Sequence, residues 1–77
     1  MKEFRIWIDM TNPIKTVNDC KNSIKYAKRY CIYSAQSHDC YWFSDTLENC
    51  DNTMLNYTVK NISIEEDGFI RLWVNEL

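Results

Sequence analysis

Apolar and polar residues alternate from Lys2 to Met10, with Phe4, Ile6, Ile8 and Met10 on one face and Arg5, Trp7 and Asp9 on the other. A period of two predicts a half-buried strand, and Trp7 implies that its second face is partly covered. Thr11-Asn12-Pro13 ends the run, because proline has no N–H for a ladder and asparagine favours turns. From Thr16 to Cys31 the period changes. Val17, Cys20, Ile24, Ala27 and Cys31 fall within an arc of about 80°, which predicts one amphipathic helix over this stretch. Thr16 is placed to cap it, with Asp19 in the capping-box position. Lys21, Lys25, Lys28 and Arg29 form a basic arc on that helix, and Tyr26 and Tyr30 lie on a third stripe with Asp19 and Ser23.

Beyond the helix the chain reads as strands. Ile32 to Ala35 is a short one, closed by a turn at Gln36-Ser37-His38-Asp39. Cys40 to Leu47 is the next, strongest at Tyr41-Trp42-Phe43, and Asn49-Cys50-Asp51-Asn52 reads as a turn. Thr53 to Ile64 alternates, with Met54, Thr58, Ile62 and Ile64 against Leu55, Tyr57 and Val59 and an irregular stretch at Lys60-Asn61. A competing reading places a short helix at about residues 46–55, because Asp45-Thr46-Leu47-Glu48 is a capping box. Glu65-Glu66-Asp67-Gly68 predicts a hairpin, with the chain's single glycine where positive φ is wanted. Phe69 to Val74 is the last strand, Ile70, Leu72 and Val74 on one face and Phe69, Arg71 and Trp73 on the other. The expected architecture is therefore α+β. It is a single domain over residues 1–77 in the order β-α-β-β-β-β, with an antiparallel-dominated sheet and one amphipathic helix on one face.

Length supports one core and no more: 77 residues cannot build two. Hydrophobic residues at 45% and aromatics at 14% exclude a disordered chain. One glycine leaves none for a GxGxxG or Walker loop, which excludes nucleotide enzymes of those kinds. No apolar run reaches the roughly 18 residues of a membrane span, and the N-terminal residues carry no secretory h-region. The expectation is a cytoplasmic protein with no membrane association. Asn, Ile, Lys, Tyr and Phe supply 30 residues while Ala, Gly, Pro and Arg supply 7, a bias towards AT-rich codons.

Charge changes the picture more than its sum suggests. The net charge of −2 cancels two opposed blocks. Residues 15–29 carry five cations and one anion; residues 39–51 carry Asp39, Asp45, Glu48 and Asp51 with no cation, and Glu65, Glu66 and Asp67 follow. Such a division suits electrostatic steering to a protein partner or to a second copy. Three candidate surfaces result. The basic face is Lys21, Lys25, Lys28 and Arg29; the aromatic flank is Tyr26, Tyr30 and Tyr33; the acidic surface is Asp39, Asp45, Glu48, Asp51, Glu65, Glu66 and Asp67.

Candidates for chemistry are few. On one helix, Cys20 and Cys31 would stand about 16 Å apart, too far for a disulfide or a shared zinc, so both read as small core residues. His38 and Cys40 offer the alternative of a metal or thiol site, although no ligand spacing supports one. Asp9 ends the first strand without a second carboxylate beside it.

These features favour a non-catalytic protein-binding module without cofactor or metal. Size, split charge and codon bias match small phage or mobile-element accessory proteins that inhibit a larger host protein, such as a defence or nucleic-acid enzyme, in the host cytoplasm. The acidic side chains would suit imitation of nucleic acid. The alternative is a small nucleic-acid-binding regulator that uses the basic helix face. A homodimer is compatible with either, since so short a chain has little core to spare.

Overall fold

The computed structural model describes residues 6–65 and 67–76. Phe4, Arg5 and Glu66 therefore lie outside the described residues. The elements run β1 (Trp7–Ile8), α1 (Val17–Ser23), β2 (Ile24–Lys25), β3 (Arg29–Ser34), β4 (Cys40–Ser44), a 3-10 turn (Leu47–Asn49), α2 (Asn52–Leu55), β5 (Thr58–Ile64) and β6 (Phe69–Asn75). A four-stranded sheet has the order β4-β3-β6-β5, and β1 and β2 form a separate two-stranded ribbon. Only the β3–β6 pair is parallel; β3–β4, β5–β6 and β1–β2 are antiparallel. The α+β class and the mostly antiparallel sheet agree with the sequence pattern.

The core lies on one face of the sheet. Ile32 of β3 and Ile70, Leu72 and Val74 of β6 pack beneath Val17, Cys20 and Ile24, with Leu47, Cys50 and Leu55 closing the side. Strand alternation sends Arg29, Cys31, Tyr33, Phe69, Arg71 and Trp73 to the opposite face. No helix packs on that face among the described residues.

The helix expected over Thr16–Cys31 is the main correction. Its start is as the sequence indicates: the Asp19 carboxylate accepts from the backbone N–H of Lys15 at 2.9 Å and of Thr16 at 3.0 Å. It ends at Ser23, where Ile24 turns to extended geometry and pairs with Ile8. Tyr26 then takes a left-handed φ of 70°, and the chain enters β3 at Arg29. Helical spacing placed Ile24, Ala27 and Cys31 on one stripe, but the sheet requires a central strand between β4 and β6. Tyr30-Cys31-Ile32-Tyr33 is aromatic and β-branched enough to supply it. Long-range pairing overrides local propensity here.

Two smaller corrections follow the same logic. The strand expected from Thr53 begins at Thr58 instead. Asp51 caps a helical turn by accepting from Thr53 N–H at 2.8 Å, and that turn buries Leu55. The competing helical reading of residues 46–55 thus holds as two short turns, Leu47–Asn49 and Asn52–Leu55, rather than one helix. The strand expected to reach Leu47 stops at Ser44. The irregularity at Lys60-Asn61 is a bulge between Val59 and Asn61, and it turns both Val59 and Ile62 towards the core. Gly68 has φ 81° and closes the β5–β6 hairpin, donating to Glu65 O at 3.1 Å.

Candidate binding surface

The residues of the open sheet face form a grid set by strand register. Arg29 pairs with Phe69, Cys31 with Phe43 and Arg71, and Tyr33 with Cys40 and Trp73. Ser63 lies beside Arg71, and Asn61 beside Trp73. Side chains in this grid hold one another. The Arg29 guanidinium sits over Phe43 and over Phe69, 5.1 Å from each ring centroid. Arg71 lies 5.0 Å over Tyr33 and 3.6 Å from the Glu65 carboxylate. Tyr33 and Trp73 are tilted rings 5.0 Å apart, and the Trp73 indole N–H donates to Ser63 Oγ at 3.0 Å. His38, at a left-handed φ of 66°, meets Trp73 edge-on at 5.5 Å.

This band is exposed where it matters. Phe43 is 59% exposed. Arg29 is exposed as well, while Tyr33, Phe69 and Trp73 are half-buried. Beneath the stacked side chains Cys31 is covered, and burial pushes its thiol pKa up. At the far end an open cleft of about 410 Å³ runs between Trp73, His38, Ala35, Lys60, Asn61 and Ser63. A second groove, about 350 Å³, lies outside β5 between Ile8, Met10, Ile14, Val59, Ile62 and Ile64, and Met10 is 78% exposed there.

The residues singled out from the sequence are redistributed. Of the basic face, only Lys21 is on α1. Lys25 is on β2, 5.6 Å over Trp7; Lys28 is in the following loop, where its N–H donates to Gly68 O; Arg29 is on the open face. The helical arc does not exist as one surface, because the helix ends before Lys25. The aromatic flank is divided too. Tyr26 is 73% exposed, whereas Tyr30 is 7% exposed and donates its hydroxyl to Ile24 O at 3.3 Å inside the core. Only Tyr33 joins the band. Among the acidic residues, Asp39 precedes β4 and Asp45 follows it, Glu48 and Asp51 sit on the short turns, and Glu65 and Asp67 bracket the β5–β6 hairpin. Glu65 is engaged with Arg71, and Asp51 with its cap.

The separation argued for Cys20 and Cys31 does not apply, since Cys31 is on β3; the two lie on opposite faces of the sheet. All four thiols are free. Burial raises the Cys20 pKa to about 12 and also raises that of Cys50. Cys40 is exposed with its thiol towards Trp42 O at 3.7 Å, and His38 packs on Trp73. Among the described residues, no three His, Cys, Asp or Glu side chains converge on a point that could hold a metal ion. Asp9 works locally: it accepts from Thr11 N–H at 2.9 Å and Thr11 Oγ1 at 2.6 Å, which lowers its pKa and closes the turn after β1.

Sequence reasoning missed Phe43, Phe69, Arg71 and Trp73 as a surface. The signal was present in β6, where both faces carry large side chains. A strand whose polar face is Phe-Arg-Trp presents something other than solvent cover.

Fold and site together define a small α+β protein with one packed and one open sheet face, the latter lined by stacked arginines and rings. No protein-family model, curated protein or solved structure matches the chain.

Proposed function

We propose that this protein is a non-catalytic binding module that acts on a larger protein through the open sheet face. The observation that carries the reading is the band of Tyr33, Phe43, Phe69 and Trp73 interleaved with Arg29 and Arg71. Tyr, Trp and Arg are the residue types that supply most binding energy at protein interfaces, because they add large area at small entropic cost. The cleft beside Trp73 gives an apolar partner side chain somewhere to enter. The chain then belongs functionally with small accessory proteins that inhibit or modulate an enzyme of the host cell.

An open four-stranded face with rings also suits stacking of single-strand bases. Charge weighs against that occupant. Nucleic-acid affinity rises with each phosphate neutralised, and here Arg71 is already matched by Glu65 in a chain of net charge −2.

Quantitative affinity capture from a lysate of the cell that carries the gene tests the reading. The wild type, Phe43→Ala, Trp73→Ala and the off-face control Lys21→Ala are used as baits. The expected result is one stoichiometric protein held by the wild type and Lys21→Ala, and about 30-fold depleted on the two open-face variants. No stoichiometric protein, or equal capture by all four baits, overturns it.

A further inference from the structure

We propose that Arg29 is the anchor of the open face and that it receives a side-chain carboxylate of the protein partner; this rests on the reading just given. The Arg29 guanidinium lies over both Phe43 and Phe69, 5.1 Å from each ring centroid, so that two rings contact one cation. Cation–π contact draws on the charge of the guanidinium and uses none of its N–H groups as donors to a carboxylate, so they remain able to form a bidentate fork. Among the described residues Arg29 forms no ion pair and no hydrogen bond through its side chain, and it contacts the two rings. Asp45, one residue beyond the β4 position opposite Tyr30, takes a hydrogen bond from Ser44 Oγ and makes no ion pair with Arg29. A guanidinium held over two rings and without an anionic partner among the described residues is a site suited to one planar anion.

The anion is a carboxylate rather than a phosphate chain because the described residues around the site supply one arginine without an anionic partner, not a track of them. The neighbouring Arg71 is engaged by Glu65, and Asp67 lies in the adjoining hairpin. A polyphosphate crossing from Arg29 to Arg71 would meet Glu65. A single Asp or Glu flanked by apolar residues meets only the fork and the rings. Such a partner segment also leaves the ion pair partly desolvated by Phe43 and Phe69, where charge-assisted bidentate bonds are strongest.

The test uses the full chain and a random 12-residue peptide display library as probe. Selections are run on the wild type, Arg29→Gln, Arg29→Lys and Phe43→Ala. Thermal unfolding confirms that Arg29→Gln, an exposed change, leaves the fold intact. The expected outcome on the wild type is enrichment of Asp or Glu at one position beside apolar residues. Those peptides should bind Arg29→Gln about 30-fold more weakly, and Arg29→Lys with an intermediate loss because lysine cannot form the fork. Selected peptides that lack an acid, or that bind Arg29→Gln as well as the wild type, overturn the anchor but leave the open-face reading standing. Peptides that ignore Phe43→Ala overturn that reading, and the anchor with it. Binding of a uridine 12-mer that is lost in Arg29→Gln overturns the carboxylate in favour of phosphate. A doubled mass by light scattering that Arg29→Gln halves overturns it in favour of a second copy.

Discussion

The two faces of the four-stranded sheet are built from alternate residues of the same strands, yet they are held by different physics. On the closed face Ile32, Ile70, Leu72 and Val74 belong to one apolar cluster and are almost wholly removed from water. On the open face the same strands present Arg29, Tyr33, Phe69, Arg71 and Trp73, joined by cation–π contacts, a ring contact, a hydrogen bond to Ser63 and an ion pair to Glu65. Closed-face burial is non-directional and supplies most of the folding free energy. Open-face contacts contribute on the order of 0.5–1 kcal/mol each at exposed sites, but they fix side-chain orientation. The first face makes the protein fold; the second holds rings and guanidinium groups in place, which in the binding role proposed above would reduce the ordering cost.

That division can be broken most severely at Leu72, which has no exposure. Leu72→Ala should destabilise the domain by about 2–5 kcal/mol, a large part of the total for a chain this size. Phe43→Ala, on the other face, should cost under about 1 kcal/mol. Chemical denaturation of both variants checks the pair, and equal losses would mean that the open face is a second core.

Thiol chemistry separates buried from exposed positions next. Burial pushes the Cys20 pKa up to about 12, which suppresses its thiolate at pH 8, whereas Cys40 is open to reagent. Alkylation at pH 8 followed by peptide mapping should label Cys40 first and Cys20 only on unfolding. Early modification of Cys31 would show that the stacked side chains above it open readily.

A smaller effect is expected inside the closed face at Tyr30, whose hydroxyl reaches Ile24 O. Tyr30→Phe should cost about 0.5–1.5 kcal/mol and leave capture of a partner unchanged. Loss of capture without loss of stability would place Tyr30 in the binding surface after all.

The smallest expected change is at the start of α1. The Asp19 carboxylate accepts from the N–H groups of Thr16 and Lys15, and these bonds hold its pKa below the usual carboxylate range. A folded pKa below the unfolded one means that the stabilisation is present at neutral pH and disappears as pH falls through the folded value. Asp19→Ala should lower stability by about 0.5–1 kcal/mol at pH 7, and the difference from wild type should vanish in acid. A gap that persists at low pH would assign the effect to packing instead.

Legibility from sequence followed the range of the interactions. Short-range chemistry was readable: the Asp19 position in the first turn of α1, the single glycine in the β5–β6 hairpin and the alternation of β6 all stand where the pattern put them. The bulge at Lys60-Asn61 was visible as a broken alternation. The stretch Thr16–Cys31 was misread because a period near 3.6 in five apolar residues is also compatible with a short helix, a ribbon strand and a central strand in succession. Three of the four residues assigned to a basic helix face lie off the helix for that reason.

The sequence by itself determined the α+β class, the apolar face of β6, the hairpin that closes the domain and the cancellation of basic and acidic blocks within a net charge of −2. The tertiary structure decided where α1 stops, which tyrosine is buried and which arginine lies over two rings. Those outcomes depend on the pairing of β3 with β4 and with β6, contacts between residues far apart along the chain. A local pattern records the helix and strand preferences of a segment. Which preference prevails is set by the partners that the rest of the chain brings to it.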